Sequence, residues 1–308
     1  MTEFAFNKLV IFGVGLIGGS LARALRERAG LHGRIVGVGR SAQSVARALE
    51  LGVIDEAAAC DDDAALARAL EGADVVLLAA PVAQTEPLLA RIAPFLHART
   101  IVTDAGSTKS DVVAAARSAL GARVGQFVPG HPIAGRESSG VDAALPELYV
   151  DRNVVLCPLD ENAPEAVERI AAMWRATGAA VHRMSEAQHD RVFASVSHLP
   201  HVLSFALVEQ ILEAPDAQLK FSFAAGGFRD FTRIAASSPE MWRDVCIANR
   251  TALLAELDAY TDVLARFRAA IDASDGAALE AAFARSRVAR QEWQERGGTR
   301  LPGDPAAK

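Results

Sequence analysis

Two textures divide the chain. From residue 8 to about 184, short apolar runs alternate with stretches whose apolar residues recur at helical spacing. The runs KLVIFG (8–13), RIVGVG (34–39), DVVLLAA (74–80), TIVTDA (100–105), RVGQFVP (123–129) and RNVVLCP (152–158) predict strands. Most are apolar throughout rather than alternating, the pattern of parallel strands covered on both faces. Between them, stretches such as SLARALRERA and SVARALELG read as helices. This alternation predicts a doubly wound α/β fold, completed by the helix PEAVERIAAMWRATG and the short strand AVHRM.

Beyond Met184 strand signal nearly vanishes. EAQHDRVFASVSHL, HVLSFALVEQIL, PEMWRDVCIANRTALLAELDAYTDVLARFRAAI and AALEAAFARSRVARQEWQER read as helices, with Pro200 expected to kink or break one of them. The pattern therefore divides into an α/β domain over 1–183 and an all-α domain over 184–296. The Gly/Pro-rich tail, 297–308, is expected to be disordered. The helical domain is too short and apolar to stand alone as a bundle. Its stripes HVLSFALVEQIL and LLAELDAYTDVLARF suggest pairing with a second copy, hence a homodimer.

Composition narrows the function. Acids exceed bases by six, 38 against 32, and no basic block stands out, which argues against nucleic acid as a partner. Cys60, Cys157 and Cys246 are far apart and fit neither a disulfide framework nor a metal motif. The N-terminal apolar run lacks a basic lead and is too short for a membrane span, so a cytoplasmic protein is expected.

GVGLIGGS (13–20) follows the first strand and opens a helix, the context that gives a GxGxxG motif meaning. Gly13 permits the turn, Gly15 lets a pyrophosphate approach, and Gly18 lets helix and strand pack closely. This makes the sheet Rossmann-type. Cofactor contacts are expected from Gly13, Gly15, Leu16, Ile17 and Gly18, and from Ala80 and Pro81 at the end of the strand DVVLLAA. The second strand does not end in the acid that binds ribose hydroxyls. VGVGRSAQS places Arg40 and Ser41 there, either to meet the 2′-phosphate of NADP or as a solvated loop start. NADP is expected, with NAD still usable.

TDAGSTKSD (103–111) and PGHPIAGRESSG (129–140) each follow a strand, at the carboxyl edge where open α/β sheets bind ligands. Ser107, Thr108 and Lys109 are aimed at that crevice, although Ser107 or Ser110 would also suit a helix cap. A neutral histidine at His131 can accept a proton, although a lone loop histidine is more often structural.

In this order, GxGLIGGSLA, DAGSTK, GHPIAGRESSG, SHLPH and GGFRDFTRIA resemble prephenate dehydrogenases and their arogenate-using and dual-specificity (cyclohexadienyl) relatives, over roughly residues 7 to 295. The resemblance implies oxidative decarboxylation of prephenate or arogenate to 4-hydroxyphenylpyruvate or tyrosine. Aromatisation drives that reaction, so no metal is expected. It implies that His131 takes the proton of the C4 hydroxyl, with Ser107 orienting it. It places Glu137 at a gating position, or simply at the surface. Arg233 would grip the ring carboxylate, and Arg229 would share its face if the segment is helical. Ser197, His198 and His201 surround Pro200. His189 and His201 would contact the substrate side chain or be buried and hydrogen-bonded.

Two alternatives remain open. A 3-hydroxyacid dehydrogenase or imine reductase has the same architecture, but a hydroxyacid dehydrogenase would be expected to use a lysine where SEAQHDRVFASVSH has none. A non-catalytic nucleotide-sensing regulator would need neither His131 nor the arginine pair.

Overall fold

The computed structural model describes residues 4–136 and 138–296. Glu137 and the tail 297–308 lie outside them. Strands β1 (Lys8–Phe12), β2 (Arg34–Gly39), β3 (Glu56–Ala59), β4 (Val75–Leu78), β5 (Ile101–Asp104) and β6 (Phe127–Val128) form one parallel sheet in the order β3-β2-β1-β4-β5-β6. Successive residues of β1 serve opposite faces. Leu9 and Ile11 join a core with Leu25, Ile35, Tyr149 and Trp174, whereas Val10 and Phe12 join one with Val38, Leu66, Leu89 and Phe127. Coverage on both faces explains the unbroken apolar runs. The order reverses between β1 and β4, which opens the crevice beside Gly13.

Three local expectations are corrected. The run 152–158 and the strand AVHRM do not extend the parallel sheet. They give β8 (Asn153–Leu156) and β9 (Ala180–Arg183) of a separate three-stranded sheet, with β7 (Gly130–Pro132) antiparallel to β8. The chain changes sheets at Pro129, whose carbonyl accepts from the Cys157 N–H at 2.9 Å. His131 therefore sits on a strand opposite Val155, not in a loop. Second, residues 123–126 of the predicted strand RVGQFVP lie in the 3-10 segment Gly121–Gln126, leaving only Phe127 and Val128 as strand. Third, EAAA at 56–59 forms an edge strand with no apolar run to announce it.

The chain divides into two compact units, through Ala252 and from Leu253. In the first, a helical run spans Glu186–Leu212, long and apolar enough by composition to cross a membrane. Its first half buries His189, Asp190 and His198, all engaged by protein groups described below. Pro200 neither breaks nor ends it. A π-helical turn at Ala194–His198 precedes the α-helix Leu199–Leu212, and Pro200 lies in that helix's first turn, where proline is tolerated. In the second unit, Phe267 of the helix Arg250–Asp272 meets Phe283 of Gly276–Glu295 edge-on, ring centres 5.6 Å apart.

Candidate active site

The glycines of the first turn behave as their spacing predicts. Gly13 has φ +93°, and a Cβ there would lie 2.6 Å from the Ala79 carbonyl oxygen. A Cβ on Gly18 would meet the Gly13 oxygen at 2.3 Å and Ile11 at 2.7 Å, so helix and strand touch here. Around Gly15 nothing lies within 4 Å of that position. The helix Leu16–Arg23 begins there with no side-chain cap and no acid in its first turn, which suits an anion. Leu16 and Ile17 turn their side chains to the core, so only their backbone N–H groups are available. This open cradle fits a pyrophosphate.

Gly13, Gly15, Arg40 and Ser41 line a cleft of about 960 Å³, and a smaller one beside it is bounded by Gly13, Gly15, Arg40, Ala80 and Pro81. Arg40 is exposed. Ser41 caps the helix Ala42–Glu50, accepting from the Ser44 N–H at 3.2 Å. Two acids, Glu50 and Asp142, also line the larger cleft, and Arg47 binds both.

At the ends of β5 and β7 the sequence brings together groups far apart in the chain. Buried Asp104 accepts from the Gly106 and Gly130 N–H groups at 2.8 and 2.9 Å and pairs with the fully buried Lys109 ammonium. Gly130 passes close to β5: a Cβ there would lie 3.0 Å from the Asp104 carbonyl oxygen. His131 Nδ1 lies 2.8 Å from His189 Nε2, and His189 Nδ1 lies 2.9 Å from Asp190 Oδ1. Asp190 also accepts from the Lys109 and Ser110 N–H groups at 2.8 Å each, capping the helix Ser110–Leu120 from another element. Burial alone would raise the Asp190 pKa, but hydrogen bonds from His189, Ser110 and Lys109 outweigh it and bring it to about 2. Phe193 packs on both imidazoles, ring centres 5.0 and 4.5 Å away.

His189 is fully buried with both ring nitrogens engaged, one by His131 and one by Asp190. It is His189, not the Ser107 hydroxyl, that bonds to the His131 Nδ1. His198 is likewise withdrawn. Its Nδ1 accepts from the Asn249 amide at 3.0 Å, and the nearby Ser107 backbone partly offsets the effect of burial on its pKa. The Asn249 amide also donates to the Asp190 carbonyl at 2.8 Å.

His201 differs. Its Nδ1 donates to the Ser197 carbonyl at 2.9 Å, leaving Nε2 as the open nitrogen, and its ring stacks on Trp242 with centres 3.5 Å apart. The Trp242 indole N–H is buried without a partner among the described residues. The charge of Arg233 reaches His201 and, after burial itself, lowers its pKa. Arg229 lies in the helix Gly226–Thr232, whereas Arg233 begins a 3-10 turn, so the two do not share one α-helical face as expected. Both are exposed.

Asp190, Phe193 and Asn249 were not foreseen. The available signal for Asp190 was an acid directly after a histidine in a predicted helix.

Burial, then neighbouring His189, Lys109 and His198, hold the His131 pKa well below 6.5. Burial also lowers His189, and lowers His198 to about 4. These histidines are neutral when folded and bind protons on unfolding below pH 6.5, so stability is complete above that pH and declines as pH falls toward the folded values. For His198 alone the drop from 6.5 to about 4 is worth roughly 3 kcal/mol, at about 1.36 kcal/mol per pH unit. Calorimetric Tm is expected to fall steadily from pH 7 to pH 4.5. A flat profile there would contradict the neutral buried cluster.

The chain matches known proteins in sequence and in fold. The profile of the prephenate dehydrogenase nucleotide-binding domain matches residues 21–183, and that of the prephenate dehydrogenase dimerization domain matches 185–285. The chain belongs to the prephenate dehydrogenase family. It is 37% identical to the prephenate dehydrogenase of Bacillus subtilis, over 87% of this chain and 71% of that one. It is 36% identical to the cyclohexadienyl dehydrogenase of Zymomonas mobilis, over 92% and 95%. The crystal structure of Aquifex aeolicus prephenate dehydrogenase with hydroxyphenyl propionate and NAD+ superposes with a TM-score of 0.87 at 34% identity, covering 94% of this chain and 99% of that one. Synechocystis arogenate dehydrogenase does so at 0.78 and 30%, covering 93% and 99%. Family membership settles the α/β-plus-helical architecture and sets aside the hydroxyacid dehydrogenase, imine reductase and regulator alternatives.

Proposed function

We propose that this protein catalyses the oxidative decarboxylation of prephenate, arogenate or both, in tyrosine biosynthesis. The observation that carries this reading is an imidazole, His131, held from behind by a buried histidine at the carboxyl edge of the sheet, beside a dinucleotide cradle. Oxidised nicotinamide, when bound, supplies the hydride acceptor. Gly13, Gly15, Gly18 and the backbone N–H groups of Leu16 and Ile17 would hold its pyrophosphate, with Ala80 and Pro81 along one wall. His131 takes the proton of the C4 hydroxyl as the C4–H pair departs. The C1–carboxylate bond then breaks, CO2 leaves, and its electron pair completes the aromatic ring. The phenolate oxygen recovers the proton from His131.

Substrate anchoring falls to Arg233 for the ring carboxylate and to His201 for the side-chain end, with Ser197 and Trp242 fixing His201. Ser107 would lie near the nicotinamide, and Glu137 is assigned to access. Residues 1–183 form the nucleotide domain and 184–296 the substrate and dimerisation domain. A homodimer is supported by exposed apolar side chains in the latter, including Phe223, Ile247, Ile271 and Phe283. We place the enzyme in the cytoplasm, consistent with three free cysteines.

NADP is the preferred cofactor in this reading. No acid ends β2 to repel a 2′-phosphate. Arg40 and Ser41 line the cleft that follows β2, at the start of the helix Ala42–Glu50, and this supports a 2′-phosphate contact. A charge-assisted contact of about 1.5–3 kcal/mol favours NADP by roughly 10- to 150-fold, while NAD remains usable. Assays of the purified enzyme with prephenate and arogenate, each with NADP and NAD, test both claims. Activity with neither substrate would end the functional reading. Arg40→Asp is expected to reverse the cofactor ratio. A wild-type kcat/KM higher with NAD, or an unchanged ratio in the variant, would exclude the NADP assignment.

A further inference from the structure

His131 is one of two imidazoles in direct contact, and the reaction above uses only one of them. The donors and acceptors around the pair run in a single direction. Asp190 is ionised, and its two oxygens accept from three groups: the Lys109 N–H, the Ser110 N–H and His189 Nδ1. An ionised carboxylate cannot donate, so His189 Nδ1 carries a proton. A neutral imidazole has one donor and one acceptor, so His189 Nε2 is a bare lone pair. It lies 2.8 Å from His131 Nδ1, which must then be the donor. His131 Nε2 is left with its lone pair free. A flip of either ring would place carbon against nitrogen, and Phe193 packs on both.

We propose that Asp190 and His189 are positioning residues that fix His131 as the Nδ1–H tautomer, so that Nε2 is the nitrogen that takes the hydroxyl proton. Without that chain, His131 is free to carry its proton on Nε2, where it cannot act as a base. The assignment rests on His131 being the base. The protonated base keeps its Nδ1–H bond to His189, so no proton needs to travel further along the chain. Asp104 does not compete for His189, because it is occupied by Lys109 and two backbone N–H groups.

The test compares Asp190→Asn, His189→Leu and His189→Gln in the full-length protein. Asp190→Asn replaces the ionised acceptor with a neutral amide whose NH2 must face a backbone N–H, which loosens the hold on His189. His189→Leu removes the acceptor. His189→Gln can accept from His131 and donate to Asp190, so it is the conservative rescue, and it leaves the Asp190 cap in place if Asp190→Asn folds poorly. In histidine-15N-labelled protein at pH 7, with His131 assigned by comparison with His131→Asn, long-range 1H–15N spectra report which nitrogen is protonated. This reading needs no substrate and no turnover. Wild-type His131 is expected to be protonated at Nδ1 and bare at Nε2, and His189→Leu is expected to lose that signature. Its kcat should fall by at least about tenfold, toward the roughly 100- to 10,000-fold that a general base contributes, with KM within about threefold. His189→Gln should recover part of both signature and rate. A wild-type His131 protonated at Nε2 would overturn the proposal. So would a kcat within twofold of wild type in both Asp190→Asn and His189→Leu. If neither prephenate nor arogenate is turned over, the functional reading fails while the tautomer result still stands.

Discussion

His131→Asn is expected to fold and to bind the dinucleotide normally while losing roughly 100- to 10,000-fold in kcat, the usual contribution of a general base. The asparagine amide can still donate toward His189 Nε2, so the buried contact behind the strand is kept and no cavity of consequence opens. Residue 131 also keeps its place in β7, since the pairing with Val155 is made by backbone. What disappears is a lone pair on the side of the ring away from His189. An amide nitrogen offers none, and a carbonyl oxygen there is far too weak a base near neutral pH. Far-ultraviolet circular dichroism and fluorescence titration with the dinucleotide should match wild type while single-turnover rates collapse. A variant that retains more than half of wild-type kcat would remove His131 from the chemistry. The low pKa of His131 bears on the same experiment. The wild-type base is already deprotonated at pH 7, so the rate should fall only as acid approaches a value below 6.5.

Arg233→Ala should act on substrate capture. Losing a charge-assisted contact to a carboxylate costs about 1.5–3 kcal/mol, which lowers kcat/KM by roughly 10- to 150-fold, carried mainly by KM. Arg233 is exposed at the start of a 3-10 turn, and its charge is felt at His201, so truncation removes a cation from the edge of the site without unpacking a core. Arg233→Lys restores the charge but not the planar fork, and should fall between wild type and alanine. Steady-state kinetics on all three proteins decide the matter. An unchanged kcat/KM in Arg233→Ala, with normal folding, would mean that this arginine serves only the surface.

Much of this protein was legible along the chain because its physics is local. A glycine that must adopt φ +93° and one that must let a helix touch a strand are fixed within six residues of each other, so GVGLIGG announced the cradle. Strands such as VVLL, buried on both faces, cannot alternate, so their continuous apolar runs declared a parallel sheet. The order of the other motifs declared the family. What stayed hidden depends on contacts between distant segments. β7 is three residues long and exists because Pro129 and Gly130 let the chain leave one sheet and pair with Val154–Leu156, whose own partner strand lies beyond a further helix. The edge strand at 56–59 is held by β2, not by its own alternation. His131 and His189 stand 58 residues apart. Nothing near either one shows that they touch, or that Asp190 faces the start of a helix begun 80 residues earlier. The sequence by itself pointed to the glycine turn, His131 and Arg233 as candidate groups. Only the tertiary structure decided which nitrogen of His131 meets His189 and which is left open, because that partner comes from a distant helix.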